Sequence, residues 1–294
     1  REVLGVRQSP VGLRVPDGAC DCHVHVFGPA ADYPYAASRA YTPGDASMAD
    51  LLALQGHLNL SRVVLIQPSS YGTDNRRLLD ALGQLGPRAR GVAVIDADIG
   101  HAELEAMHAA GVRGARLNLE TTGERDPQAA ARLMQAISAR VAPLGWHLQT
   151  YISLEVLAPL HDTIIALPVP LVVDHFGRAR RVDQPGFQVL LSLVRTGRAY
   201  VKLSAPRRIA DPPECSSATP VAQALIAANP DRMLWGTDWP HTSTNRQPGC
   251  LDEIEAFEAE DDGMALNRLA GWVGEPALLK RILVDNPARL YDFP

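Results

Sequence analysis

The chain has 294 residues, 46% of them hydrophobic and 21% charged, with a formal net charge of −5. That composition fits a globular protein with a large core and excludes a disordered one. The acidic balance argues against a nucleic-acid partner, which phosphate neutralisation would make basic. No apolar run approaches the roughly 20 residues of a membrane span, and residues 1–16 lack the apolar core of a signal peptide. A cytoplasmic protein with no membrane partner is therefore expected. Four cysteines form no disulfide framework at this length and read as buried small hydrophobes. Only Lys202 and Lys280 are lysines, so 26 of the 28 cationic residues are Arg. Anions will mostly meet planar guanidinium groups.

Short β-branched runs alternate with helical stretches along the whole chain. Strands are predicted at 19–26, 62–67, 91–95, 112–118, 146–152, 170–175, 199–204 and 232–238. Helices are predicted at 48–58 (Ser47 as N-cap), 75–85, 102–110 (closed by Gly111), 127–144, 154–167, 187–196 and 221–229. Residues 251–272 read as mostly helical, and 276–290 as a terminal helix packed on the outside. Continuous apolar strands separated by helices imply a parallel sheet buried on both faces. Eight such units imply one α/β domain, a single (β/α)8 TIM-like barrel over 1–294, with 1–17 as an N-terminal extension. No GxGxxG follows the first strand, which argues against an open dinucleotide-binding sheet.

In such a barrel the functional face lies at the C-terminal ends of the strands. Long loops are expected there: 27–46, with Tyr33, Tyr35 and Tyr41; 205–218; and 241–249. The first strand carries Asp21-Cys22-His23-Val24-His25. Strand alternation puts Asp21, His23 and His25 on one face, and Cys20, Cys22 and Val24 on the other. Two imidazoles facing a barrel interior need polar partners, and suit metal ligation or polarisation of a substrate. The sixth strand ends in Asp174-His175, adjacent residues expected to face opposite sides. The eighth ends in Thr237-Asp238-Trp239-Pro240-His241, and Asp238 at that mouth suits a general base. Arg178, Arg180 and Arg181 follow the sixth strand, and Arg207 and Arg208 the seventh. Guanidinium groups in adjacent loops suit bidentate capture of carboxylates. Lys202, on the seventh strand, reads as an ion-pair partner or, less readily, a Schiff-base lysine.

These motifs, taken in order, resemble the amidohydrolase superfamily. They are Cys22-His23-Val24-His25-Val26-Phe27-Gly28-Pro29, Tyr41-Thr42-Pro43, Gln67-Pro68-Ser69-Ser70, Gly111-Val112-Arg113-Gly114-Ala115-Arg116-Leu117-Asn118, Asp174-His175-Phe176-Gly177-Arg178, Trp235-Gly236-Thr237-Asp238-Trp239-Pro240-His241 and Asp285-Asn286-Pro287-Ala288-Arg289-Leu290-Tyr291. The finer features are similar to its lactonase branch. The resemblance implies a hydrolase that opens the ring of a small anionic, carboxylated lactone such as a pyrone dicarboxylate. It implies Asp238 as the base that activates water, with His23, His25 and His175 polarising the carbonyl. Arg116, Arg178 and Arg207, with Tyr41, Ser69, Tyr151 and His241, would bind the substrate.

No metal cofactor is favoured. The fourth strand offers Arg116 and Asn118 where bridged binuclear sites carry Lys or Glu, and His147 lies at the far end of the fifth. A single Zn²⁺ on His23, His25 and Asp238 stays open as an alternative. The branch also places another Arg shortly beyond the strand-four Arg, where this chain reads Glu120-Thr121-Thr122-Gly123-Glu124. A sugar-acid or muconolactone-type lactone, a lactone isomerisation and a metal-dependent decarboxylation therefore stand beside the dicarboxylate reading. A pure binding protein would have no need of the base.

Overall fold

The computed structural model describes residues 1–246 and 249–294. Eight strands run Cys20–Val24 (β1), Arg62–Ile66 (β2), Ala89–Ala93 (β3), Val112–Asn118 (β4), His147–Tyr151 (β5), Leu171–Val173 (β6), Ala199–Ser204 (β7) and Met233–Gly236 (β8). They lie side by side in chain order, and each adjacent pair in this sheet is parallel. The ring closes just past β8. There the Asp238 N–H donates to the His23 carbonyl and the His25 N–H to the Trp239 carbonyl, both at 2.9 Å, around a parallel bridge between Val24 and Trp239. With helices between the strands, this is the expected (β/α)8 barrel.

Local chemistry explains most element ends. Ser47 and Asp50 form a reciprocal capping box at the start of helix Met48–Leu58. Gly111 takes a left-handed conformation and stops His101–Ala110. Pro127 opens Pro127–Val141 behind its N-cap Asp126. Pro159 breaks the predicted 154–167 helix into Leu154–Leu157, a 3₁₀ turn and His161–Ala166.

Two expectations are corrected. Residues 251–261 are not helical, although their composition favours a helix. Ile254–Glu255 pairs with Thr42–Pro43, Glu258 is held by Arg207 and Thr244, and the helix starts only at Asp262. Tertiary contacts here override local propensity. The chain beyond the predicted terminal helix 276–290 turns inward, which the sequence did not suggest. Tyr291 and Phe293 pack with Cys20, Cys22, Val64, Ile66, Val92, Val172, Tyr200 and Leu234 to fill the lower interior of the barrel. Finally, Cys250 is exposed, while Cys20, Cys22 and Cys215 are buried and free. The N-terminal extension forms a small hairpin, Glu2–Val3 with Val6–Arg7, and ties Ser9 to Asp261. Residues 247 and 248 of the predicted 241–249 loop lie outside the described residues. No described helix is long and apolar enough to cross a membrane.

His147 opens β5 at the bottom of the barrel, far from the catalytic end. It is buried edge-on against the Tyr291 ring at 5.3 Å, and neither ring nitrogen has a hydrogen-bond partner among the described residues. Burial, followed by the nearby charge of Lys202, lowers its pKa to about 3. An unfolded imidazole titrates near 6.5, so the folded state binds fewer protons below that pH. The neutral imidazole thus gives stability that is complete above pH ~6.5 and lost as pH falls toward 3, roughly 3 kcal/mol of it by pH ~4. His147→Leu should flatten the fall of the urea midpoint between these two pH values. An unchanged slope would contradict this account.

Candidate active site

The sequence expectation for β1 is correct for the histidines and wrong for the cysteines. Cys20 and Cys22 face the barrel interior, and Val24 faces the outer core. The register of β1 against β2 slips between Asp21 and Val24, where three steps on β1 match two on β2. This bulge resets the alternation and turns His23 inward directly after Cys22. Asp21 points to the seam instead. Its carboxylate accepts from the Thr237 N–H at 2.9 Å, the Thr237 hydroxyl at 2.6 Å and the His23 N–H at 3.2 Å.

Gly236 lets the two edges meet. A Cβ there would lie 2.7 Å from the His23 backbone nitrogen and 2.9 Å from the His23 Cβ. Past it, Asp238 adopts a left-handed φ of 61°, an uncommon geometry for a non-glycine residue. His23, His25 and His175 then surround one oxygen. Their Nε2 atoms lie 3.4, 3.8 and 3.7 Å from Asp238 Oδ1. Asp174 and His175, expected to diverge, are both turned into the site, because His175 also takes a positive φ of 49°.

Below this layer Asp174 is buried and ion-paired. Arg116 donates to its Oδ2 through Nε and Nη2, at 3.2 and 3.0 Å, and Lys202 Nζ lies 3.9 Å from its Oδ1. Lys202 is thus an ion-pair partner. Above the layer, Arg207 donates to Asp238 Oδ2 at 2.8 Å and to Glu258 at 2.7 Å, and Arg208 approaches the same Asp238 oxygen at 3.5 Å. Arg116 and Arg207, expected at the substrate, are largely occupied by Asp174 and by Asp238 and Glu258. Arg178 pairs with Glu120, and its guanidinium and that of Arg208 lie over the Tyr151 ring at 5.6 and 5.7 Å. Tyr41 and Ser69 line the central pocket with Tyr151, and Arg246 covers the Tyr41 ring at 3.9 Å. His241 does not join them. It turns toward the N-terminal hairpin and meets Asp262 at 2.9 Å.

The charges are unevenly placed. Burial lowers the pKa of His25 to about 4 and takes those of His23 and His175 well below the usual imidazole range, with Lys202 adding to the effect at His23 and Asp238 opposing it at His25 and His175. All three are neutral near pH 7. Burial alone would raise Asp238, but His175 where it is charged, and Arg207 and Arg208 throughout, outweigh it and hold the carboxyl well below the usual range. The pocket between these groups is small, about 30 Å³. It adjoins two outer spaces of about 430 and 510 Å³, both lined by Tyr151, Arg178 and Arg208.

Sequence reasoning missed the pairing role of Asp174, and it missed Arg246, Glu255 and Glu258 entirely. Glu255 and Glu258 lie in the region read as helix, which hid them, whereas Arg246 lies in the 241–249 loop expected at the functional face and was not singled out there. Among the described residues, His23-His25-Asp238 and His23-Asp174-His175 each bring ligating atoms within 4.8 Å of one another, a spacing that could hold a metal ion.

A family model described as amidohydrolase matches residues 20–293, and the chain belongs to that family. It is 38% identical to a 2-pyrone-4,6-dicarboxylate hydrolase of Comamonas testosteroni, over 95% of this chain and 92% of that one. It is 34% identical to a 4-sulfomuconolactone hydrolase of Rhizobium radiobacter, over 97% and 93%. Among solved structures, a putative 2-pyrone-4,6-dicarboxylic acid hydrolase of Pseudomonas putida superposes with a TM-score of 0.79 at 32% identity, over 95% and 99%.

The tight seam gives a test of how the site is held. Gly236→Ala should cost about 1–3 kcal/mol through overpacking and reduce turnover by displacing His23. Urea unfolding and steady-state kinetics measure the two. Wild-type values for both would show that the seam tolerates a methyl group.

Proposed function

We propose that this protein hydrolyses the ring ester of a small carboxylated lactone, with Asp238 as general base. The observation that carries this reading is the convergence of three buried imidazoles on one carboxylate oxygen, beneath an arginine-lined mouth. Two relatives named as lactone hydrolases, each over 30% identical along nearly the whole chain, support it.

The chemistry follows from the groups present. A water beside Asp238 Oδ1 attacks the lactone carbonyl carbon, and its proton passes to the carboxylate. The carbonyl π electrons move onto oxygen, where an imidazole N–H meets the growing charge. Collapse breaks the ring C–O bond, and the leaving oxygen takes the proton back from Asp238. The products are a carboxylic acid and a hydroxyl, or its enol where the ring oxygen was vinylic. Arg207 keeps Asp238 ionised and oriented between proton transfers. The low pKa makes the base weak but available at any pH near neutrality.

His25 takes a different part from the one expected of it. Its Nδ1 lies 2.8 Å from the Ile66 carbonyl, which can only accept. A neutral His25 therefore carries its hydrogen on Nδ1, and its Nε2 accepts from the water rather than polarising the carbonyl.

The 30 Å³ pocket holds about one water. The lactone would therefore occupy the pocket together with the outer spaces, moving Arg178 and Arg208 onto its carboxylate. Tyr41, Ser69 and Tyr151 line the path. Glu120 pairs with both Arg178 and Arg125 and so offsets part of the Arg178 charge, which favours a muconolactone-type ring with one carboxylate over a dicarboxylate. We place the reaction in the cytoplasm, where the free cysteines would stay reduced.

Asp238→Asn should lower kcat at least about a hundredfold with the fold intact, read by pH indicator across a lactone panel. Unchanged turnover would remove Asp238 as the base. Glu120→Gln should free Arg178 and lower KM for a carboxylated lactone about tenfold, the scale of one charge-assisted hydrogen bond. An unchanged KM would take Arg178 out of the clamp.

A further inference from the structure

We infer that Lys202 is a positioning residue that fixes His23 as an Nε2–H donor, opposite in tautomer to His25. The inference rests on the lactone-opening reading of the site for its consequence, though not for its geometry. Lys202 lies in the middle of β7 and is fully buried. Its Nζ has three close neighbours: the Cys22 carbonyl at 2.8 Å, Gln149 Oε1 at 2.9 Å and His23 Nδ1 at 3.2 Å. An ammonium has three hydrogens to donate and no lone pair. The two oxygens can only accept, and Asp174 supplies the counter-charge. The third hydrogen goes to His23 Nδ1, which must then be the bare nitrogen.

One rival exists. Asp174 Oδ1 lies 3.6 Å from His23 Nδ1 and would favour a hydrogen there. That separation is too long for a hydrogen bond, and Arg116 holds the other Asp174 oxygen. Lys202 therefore prevails. A neutral His23 carries its hydrogen on Nε2, which has no hydrogen-bond partner and lies 3.4 Å from Asp238 Oδ1.

The consequence is a division of labour within the His-x-His pair. His23 presents N–H to the developing oxyanion, while His25 and Asp238 accept from the attacking water. The same arrangement bears on metal binding. A divalent ion needs lone pairs, and ligating imidazoles ordinarily donate their far nitrogen to a carboxylate or carbonyl. His25 follows that pattern with Ile66, but His23 reverses it, because Lys202 donates to its far nitrogen. His23, His25 and Asp238 thus offer two lone-pair donors and one N–H, and do not fit a three-ligand metal site while Lys202 is an ammonium. In the His23-Asp174-His175 group, the Nδ1 of His23 is already engaged by Lys202.

The test is the protonation state of each ring nitrogen in protein labelled with ¹⁵N-histidine, read from long-range ¹H–¹⁵N spectra. His23→Gln and His25→Gln assign the two signals by their loss. We expect hydrogen on Nε2 of His23 and on Nδ1 of His25. In Lys202→Met the His23 preference should be lost, and kcat should fall about a hundredfold, the scale of one oxyanion donor, with KM nearly unchanged. A bare Nε2 on His23 in the wild type overturns the inference, as does a Lys202→Met enzyme with wild-type kcat. Should Lys202→Met not fold, the wild-type spectrum alone decides. That spectrum needs no substrate, so a lactone panel without turnover would count against the proposed reaction and leave the tautomer result standing.

Discussion

Everything catalytic in this barrel depends on how its first and last strands meet. Hydrogen bonds across the closing seam run between the His23 and Asp238 backbones and between the His25 and Trp239 backbones. They set the two imidazoles of β1 against the carboxylate beyond β8 before any side chain interacts. Asp21 stitches the same seam through Thr237. Burial pushes this carboxyl up to about 7, against the pull of its three hydrogen bonds. The seam therefore contains a buried acid whose hydrogen bonds only partly offset its desolvation. Gly236 completes it by having no side chain. Fold closure and site assembly are the same event.

The net charge of −5 conceals a layered arrangement at the centre. Asp174 lies below the histidines with Arg116 and Lys202, and Asp238 lies among them with Arg207 and Arg208. Each buried carboxylate has two cations, and the imidazoles occupy the space between. Burying these ions costs several kcal/mol apiece, which their mutual attraction must offset. Burial suppresses protonation of all three histidines, reinforced by Lys202 at His23 and opposed by Asp238 at His25 and His175. Neutral imidazoles, which can either donate or accept at a given nitrogen, follow directly from this placement.

Eight βα units were legible because apolar runs and helical stretches alternate with clear turn residues. Both 112–118 and 199–204 match the structure at each end. The convergence of His23, His25, His175 and Asp238 was legible because polar residues at the ends of buried strands have little structural use. The rest depended on features that periodicity does not carry. A one-residue bulge in β1 put the cysteines inside, and a positive φ at His175 turned neighbouring residues toward the same site. Residues 251–261 carry helical propensity, yet Glu255 and Glu258 are drawn into ion pairs with Arg246 and Arg207. The arginine cluster was visible as composition. Which of its members already had carboxylate partners was not, because those partners come from distant parts of the chain.

The division among the arginines also links binding to catalysis. Arg207 is buried, held by Glu258 and the Thr242 carbonyl, and donates to Asp238 in a short bond. It borders the outer space of about 430 Å³, but two of its three guanidinium nitrogens are already engaged. Arg208 makes a longer contact with the same carboxylate and lines both outer spaces. In a lactonase built this way, a substrate carboxylate in the outer space would compete with Asp238 for Arg208. Loss of that contact would remove one of the influences holding the Asp238 pKa down and so would strengthen this carboxylate in its proposed role as base. Arg207 remains to keep the carboxylate oriented. An uncharged lactone would leave Arg208 in place and meet the weaker base, so discrimination for a charged substrate would act on kcat as well as on binding.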